Sequence, residues 1–355
     1  MDQKAPGILV VGCGGIGGVV LSCLMEGGRK VAAVARREEI AQVLRTRGPV
    51  LRDEKGERIV KGELEVFVEP PARGAYDFIV LATPPNHVAE AARSTVHLLA
   101  PGGALVVLQN GLCEELVAGA VGEDKVIGDI VAWGASSPEV GVYERTSSGG
   151  MVLGTLSGQP DPRLQVLAEA LRPVARVAFT ENLRGARWSK LAINCAISTL
   201  GTVGGSRVGP LLMHRFIRRL AMEVFTEVFQ VARAEGVRLV KVASTVDLEW
   251  LTLDRAEYPA IGTPSLFAKH ALLLVIGARY RRMRSSMLAA IERGREPPVD
   301  FLNGEVVRRG KARGIAVPVN ERLLEAVHAI HRRELATGVE TLRRIYEQTR
   351  PQARR

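Results

Sequence analysis

Three features of the sequence predict an α/β chain of Rossmann type, a doubly wound parallel sheet followed by a second, mainly α-helical domain. Short β-rich runs alternate with helical stretches through the first 180 residues. A glycine-rich turn, Gly12-Cys13-Gly14-Gly15-Ile16-Gly17, directly follows the first of those runs. From about Glu181 the texture changes to long segments with apolar residues at helical spacing.

The β-rich runs are Ile8 to Val11, Lys30 to Ala35, Asp77 to Ala82 and Ala104 to Leu108. Asp77-Phe-Ile-Val-Leu-Ala82 is almost continuously apolar, as expected of a strand covered by helices on both faces. Pro101-Gly102-Gly103 reads as the turn into the strand at Ala104. In the second half, Phe216, Leu220, Val224 and Val228 share one helix face, and Gly236 reads as the closing cap. Lys241 to Arg284, with Pro259, Gly262 and Pro264, reads as a helix, a loop and another helix. The expected division is a dinucleotide-binding domain over 1–180, a helical domain over 181–335 and a basic tail over 336–355.

The chain has 355 residues, enough for about two domains at roughly 100–200 residues each, and 46% of them are hydrophobic. No stretch approaches the roughly 18 apolar residues of a membrane span, and the first residues lack the pattern of a secretory signal. A cytoplasmic protein without membrane association is expected. Cys13, Cys23, Cys113 and Cys195 lie far apart, which suggests no disulfide framework or metal site and reads as buried small hydrophobes.

Net charge is +10, carried unevenly. Residues 1–180 hold 18 basic and 21 acidic side chains, whereas residues 181–355 hold 30 and 17. No zinc-finger or RNP pattern accompanies the basic half, so anionic small ligands are favoured over nucleic acid as partners. Pairs such as Arg218 with Arg219 read as solvated helix faces. No apolar stripe reserved for a partner is evident, leaving a monomer or a homodimer.

The glycine turn carries the clearest chemistry. Gly12 would make the tight turn, Gly14 would let main chain approach a pyrophosphate, and Gly17 would let helix pack closely on strand. The helix N-terminus would then face the anion. An NAD-preferring site usually ends its second strand with Asp or Glu on the ribose, but this one ends in Arg36-Arg37. A guanidinium suits a 2′-phosphate, so NADP(H) is the expected cofactor, with Arg36 ahead of its neighbour Arg37. The competing reading of Arg36-Arg37 is two surface arginines after a strand.

In the second half, Lys190, Asn194 and Ser198 are spaced by four on a predicted helix and form a polar stripe among Leu191, Ile193 and Ile197. A partly desolvated lysine there suits a proton donor. Taken alone, it also reads as an ordinary solvent-facing lysine. Gln109-Asn110-Gly111 ends a strand at the sheet edge where such folds meet their ligands, or is simply a strand-ending turn.

These blocks, in this order, resemble the ketopantoate reductase family. The resemblance is carried by Gly12 to Gly18, by Gln109-Asn110-Gly111-Leu112 with Glu115-Leu116, and by Trp188-Ser-Lys190 with Asn194. It continues in Ser285-Ser286-Met287-Leu288, Asp300-Phe301-Leu302-Asn303-Gly304 and Gly314-Ile-Ala-Val-Pro318-Val-Asn320. It implies NADPH-dependent reduction of a 2-oxo acid in a cleft between the two domains, as in pantothenate synthesis. Lys190 would act as general acid, while Asn110, Asn194, Ser198 and Ser286 orient the substrate. Without the family, Ser286 reads equally as a helix N-cap.

Three positions depart from the family pattern. Pro84 replaces a Lys in the loop after the Asp77 to Ala82 strand, Ser198 replaces a second asparagine, and Pro298 replaces a substrate-binding Glu. Proline cannot accept a hydroxyl's hydrogen bond. The alternatives are therefore a related reductase of another 2-oxo acid or carbonyl, or a non-catalytic NADP(H)-binding sensor.

Overall fold

Runs of β-branched and leucine side chains set the strand interior of the first half. A computed structural model describes residues 6–240, 247–254, 256–258 and 262–350. The chain divides into two units, Met1–Leu183 and Arg184–Arg355.

The strands of the first unit are β1 (Ile8–Val11), β2 (Val31–Val34), β3 (Val50–Asp53), β4 (Gly56–Ile59), β5 (Leu64–Phe67) and β6 (Tyr76–Leu81). They continue as β7 (Leu99–Val107), β8 (Val126–Val131), β9 (Ala135–Glu139), β10 (Val142–Arg145), β11 (Met151–Gly154) and β12 (Val177–Phe179). Its helices are α1 (Gly15–Glu26), α2 (Glu38–Thr46), α3 (Val88–Thr95), α4 (Cys113–Val121) and α5 (Pro162–Leu171).

The main sheet runs β12-β11-β8-β7-β6-β1-β2-β5, parallel from β8 through β5, with β11 antiparallel to β8. This is a Rossmann-type doubly wound sheet. After β1 the chain moves outward through β2 to β5, then returns to the other side of β1 at β6. The topological switch point thus lies between β1 and β6, where ligands of open α/β sheets bind at the carboxyl ends of the strands. Every residue of β1 and β2 is buried, so these strands need no polar alternation.

Two features differ from the sequence expectation. A second sheet, β4-β3-β10-β9, packs against α1, and the simple strand–helix rhythm passes over it. Pro101-Gly102-Gly103 lies inside β7, where pairing with β6 shifts from Tyr76–Leu99 to Phe78–Ala104. The predicted turn is therefore an excursion within one strand, made with Gly102 at φ +79°.

The second unit is helical. It comprises α6 (Leu183–Ile193), which begins on the last residue of the first unit, then α7 (Thr199–Val203), α8 (Val208–Leu212), α9 (Arg215–Ala234) and α10 (Pro264–Arg279). After these come α11 (Ser286–Glu292), α12 (Asn303–Ala312), α13 (Pro318–His331) and α14 (Val339–Thr349). Central α9 touches α8, α10, α12, α13 and α14, and its apolar residues Ile217, Leu220, Ala221, Val224 and Val228 are fully buried. It ends at Gly236, whose φ of +70° lets its N–H and that of Val237 reach the carbonyls of Arg233 and Ala232.

Arg218 and Arg219 are not a solvated face. Both are buried on α9: Arg218 donates to the carbonyls of Leu212 and Met213 and to His270 Nδ1, while Arg219 pairs with Glu223 and donates to the carbonyls of Glu257 and Tyr258. Buried guanidinium groups persist because these partners replace water. The first helix expected between Lys241 and Arg284 falls partly outside the described residues, and the described part over 247–254 forms turns. The second is α10, capped by Thr263 Oγ1 accepting from Leu266 N–H. Within the expected basic tail, Thr341, Leu342, Ile345 and Thr349 of α14 are buried, and α14 packs on α13 and α9.

Candidate active site

The glycine turn connects β1 to α1 at the switch point. Gly12 has φ +102°, and a Cβ there would lie 2.8 Å from the backbone of Ala82 and Thr83, beyond β6. A Cβ on Gly17 would lie 1.9 Å from Gly12 O and 2.9 Å from Ala82 Cβ, so helix and strand pack without room for a side chain. Above Gly14 there is open space, with nothing within 4 Å of a built Cβ. Gly15 and Ile16 open α1, and their half-buried backbone follows directly on exposed Gly14. Cys13 is buried, and desolvation pushes its thiol up to about 12, so it packs as a neutral side chain. The arrangement admits an anion to main-chain N–H groups at the start of a helix.

At the end of β2, Arg36 and Arg37 are exposed, with Arg37 at the N-cap of α2. At the ends of β6 and β7, Gln109 Nε2 donates to Thr83 O at 2.9 Å, while Asn110 is exposed just before Gly111 at φ +90°. Thr83 Oγ1 is buried without a hydrogen-bond partner among the described residues. No motif or spacing in the sequence singles out Thr83. Its position at the switch point was the available signal.

In the second unit, α6 is anchored by its buried side. Trp188 is fully buried, and Ser189 Oγ donates to the carbonyls of Gly185 and Val240 at 3.0 and 2.7 Å. Lys190 is half-buried, as are Ile193, Asn194, Ile197 and Ser198, whereas Leu191, Ala192, Cys195 and Ala196 are buried. The accessible part of the segment is a stripe holding the three predicted polar residues. Asn194 Nδ2 is buried within it and has no hydrogen-bond partner among the described residues. An unpaired buried donor costs about 1–3 kcal/mol, which a ligand acceptor removes.

The stripe is not one α-helix. Asn194–Ser198 forms a π-helical turn between α6 and α7. In an α-helix a step of four overshoots a full turn by about 40°. In the wider π turn it falls short, so the two deviations oppose and Lys190, Asn194 and Ser198 stay aligned. π-Turns inside α-helices recur at functional positions.

Ser285, not Ser286, caps α11: its Oγ accepts from Leu288 N–H at 3.3 Å. Ser286 is exposed at the first helical position. Pro298 is half-buried at the start of a short 3₁₀ turn, Pro297 is buried, and Glu296 is exposed. Pro84 is exposed before another 3₁₀ turn.

Residues 8–158 match the family described as ketopantoate reductase PanE/ApbA, and residues 182–331 match its C-terminal part. The chain is 27% identical over 318 residues to a 2-dehydropantoate 2-reductase of Pyrococcus abyssi, covering 88% of this chain and 94% of that one. Among solved structures, a PanE/ApbA family ketopantoate reductase from Ralstonia eutropha JMP134 matches with TM-score 0.76 at 24% identity, covering 92% of this chain and 99% of that chain. A D-mandelate dehydrogenase with NADH and anilino(oxo)acetate matches with TM-score 0.77 at 19% identity, with the same coverage. The family these models describe is one of oxidoreductases acting on CH–OH groups. The chain belongs to the ketopantoate reductase family.

Proposed function

We propose that the protein is an NADPH-dependent reductase of a 2-oxo acid, with 2-dehydropantoate as the first substrate to test. The observation that carries this reading is the half-buried Lys190–Asn194–Ser198 stripe flanked by buried Leu191, Cys195 and Ala196, with the Asn194 amide nitrogen unpaired among the described residues. A carbonyl or carboxylate oxygen is the partner such a donor lacks.

The residues of the first unit fit a dinucleotide. Open space above Gly14 accommodates a pyrophosphate against main chain, and the N-terminus of α1 favours its charge. Exposed Arg36, beside Arg37, supplies a guanidinium for a 2′-phosphate. Thr83 Oγ1 offers a further hydroxyl beside the same turn. Bound NADPH supplies the hydride that adds to the keto carbon. Lys190, as ammonium, donates to the carbonyl oxygen and gives up its proton as negative charge develops there. Asn194 Nδ2 and the hydroxyls of Ser198 and Ser286 hold the remaining oxygens.

A second reading has one specific observation behind it. Where the family pattern places a hydroxyl-binding Glu, this chain has Pro298, with Glu296 exposed. A site that hydrogen-bonds a substrate hydroxyl discriminates by about 10⁴ to 10⁵, so a substrate without that hydroxyl is favoured here. An aryl or alkyl 2-oxo acid is the alternative; the ternary structure of the D-mandelate dehydrogenase holds anilino(oxo)acetate, which has no aliphatic hydroxyl. Loss of NADPH absorbance with a panel of 2-oxo acids tests both. Turnover of 2-dehydropantoate above the others supports the first reading, and preference for an unhydroxylated acid supports the second. Cofactor binding with no turnover of any of them replaces both with a sensor.

A further inference from the structure

The π-turn that aligns the stripe is gripped from outside its own helix. Asn303, the first residue of α12, is fully buried, and its side-chain amide reaches back 108 residues to donate to the backbone carbonyl of Cys195 at 3.3 Å. The same Nδ2 donates to Asn320 Oδ1 at 2.9 Å, and Asn303 Oδ1 accepts from Thr199 Oγ1 at 2.7 Å. One amide thus holds the second residue of the π-turn and the first residue of α7.

Behind it stands a second layer. Asn320 is also fully buried, and its backbone N–H and Nδ2 donate to Glu227 Oε2 at 2.9 and 2.7 Å, while Val319 N–H donates to Oε1 at 2.9 Å. Glu227 therefore caps the N-terminus of α13 from central α9 and fixes the asparagine that fixes Asn303. At the far end of the turn, the carbonyl of Ser198 lies 2.8 Å from both Thr202 Oγ1 and Ser285 Oγ, and those hydroxyls lie 2.8 Å from each other.

A widened helical turn is less favourable than the α ladder it interrupts and persists where surrounding groups over-determine it. Asn303 does so with two directed hydrogen bonds onto the segment and a third to Asn320, in a fully buried setting where each is strong and costly to leave unmade. Reverting the turn to α geometry would rotate Ser198 relative to Lys190 and Asn194. We infer that Asn303 is a positioning residue: through the Cys195 carbonyl and Thr199 it holds the π-turn that aims Asn194 and Ser198 alongside Lys190. This rests on the reading of that stripe as the substrate site.

The test compares wild type with Asn303→Ala and Asn303→Asp. The second retains the volume and the acceptor for Thr199 but has no proton to give Cys195 O. Amide hydrogen exchange is read over residues 194–200, with residues 8–25 as control, beside kcat for the best 2-oxo acid and the Kd for NADPH. Exchange over 194–200 is expected to rise at least about tenfold at unchanged protection of 8–25. The expected fall in kcat is about 100-fold, the scale of a roughly 1 Å misplacement, with NADPH affinity intact. Should Asn303→Ala not fold, Thr199→Val removes one of the three bonds at equal volume and is expected to move both readouts the same way by about tenfold. Unchanged exchange over 194–200, or faster exchange with unchanged kcat, overturns the proposal. If Lys190→Ala keeps wild-type turnover, the site reading fails instead, and the exchange data still decide whether Asn303 holds the turn.

Discussion

A side chain on Gly17 would meet the carbonyl oxygen of Gly12 at 1.9 Å, whereas one on Gly14, in the same turn, would meet nothing within 4 Å. The two glycines therefore separate folding from binding. Gly17→Ala drives a methyl into backbone that cannot yield and is expected to destabilise by about 3 kcal/mol or more. Gly14→Ala is expected to unfold at the wild-type temperature, since its φ of −82° suits any residue, yet to lose most of its NADPH affinity because the methyl occupies the pyrophosphate's place. Calorimetry and fluorescence titration of both variants check this. Full NADPH affinity in a folded Gly14→Ala protein would remove the glycine turn from the cofactor site.

Arg36 is exposed at the end of β2 and belongs to none of the ion pairs seen among the described residues. Its removal should leave folding untouched and act on the ligand alone. Arg36→Ala is expected to weaken NADPH by about 10- to 100-fold, the scale of a hydrogen bond to a charged group, and NADH by less than threefold. Equal weakening of the two nucleotides defeats the phosphate assignment.

Lys190 is the proton donor of the proposed reaction, so its loss should appear in turnover and not in cofactor affinity. Lys190→Ala is expected to lower kcat by about 10² to 10⁴-fold with NADPH binding unchanged. Stopped-flow loss of nicotinamide absorbance under single-turnover conditions measures the step directly. A comparable loss of NADPH affinity would place the amine on the cofactor instead.

Much of this was legible in residue spacing, and the exceptions have physical reasons. The glycine turn, β1, β2 and β6 announce themselves because each is a local pattern, and the apolar runs Ile8–Val11, Val31–Val34 and Phe78–Leu81 are buried throughout. The β9 strand, Ala135-Ser-Ser-Pro-Glu139, carries no alternating apolar signal and gains its place only from β10 and α1. Arg218 and Arg219 look solvated in sequence because the carbonyls that satisfy Arg219 come from Glu257 and Tyr258, 38 and 39 residues away. Spacing by four identified the Lys190 stripe, but it cannot distinguish an α-helix from an α-helix holding a π-turn. That distinction depends on Asn303, 108 residues downstream of Cys195.

Glu227 makes the protein's stability depend on pH in a direction opposite to that of its arginine-paired carboxylates. Desolvation raises its carboxyl from 4.5 to about 8, with hydrogen bonds from Asn320 and Val319 opposing and the nearby Glu223 charge reinforcing the rise. Between these values the unfolded chain has lost the proton and the folded chain keeps it, so stability falls as pH rises from about 4.5 toward 8 and levels off above. Arginine-paired carboxylates such as half-buried Asp161, held low by Arg163, contribute the reverse slope and only below the ordinary carboxylate range. Glu227→Gln cannot ionise, although its amide must face N–H donors, so the variant is expected to be less stable at pH 5 and to close on wild type as pH approaches 8. Urea midpoints of both proteins at pH 5, 6.5 and 8 measure the difference. A gap that stays constant across that range would mean that Glu227 is ionised throughout, and that the three donors at α13 outweigh its burial.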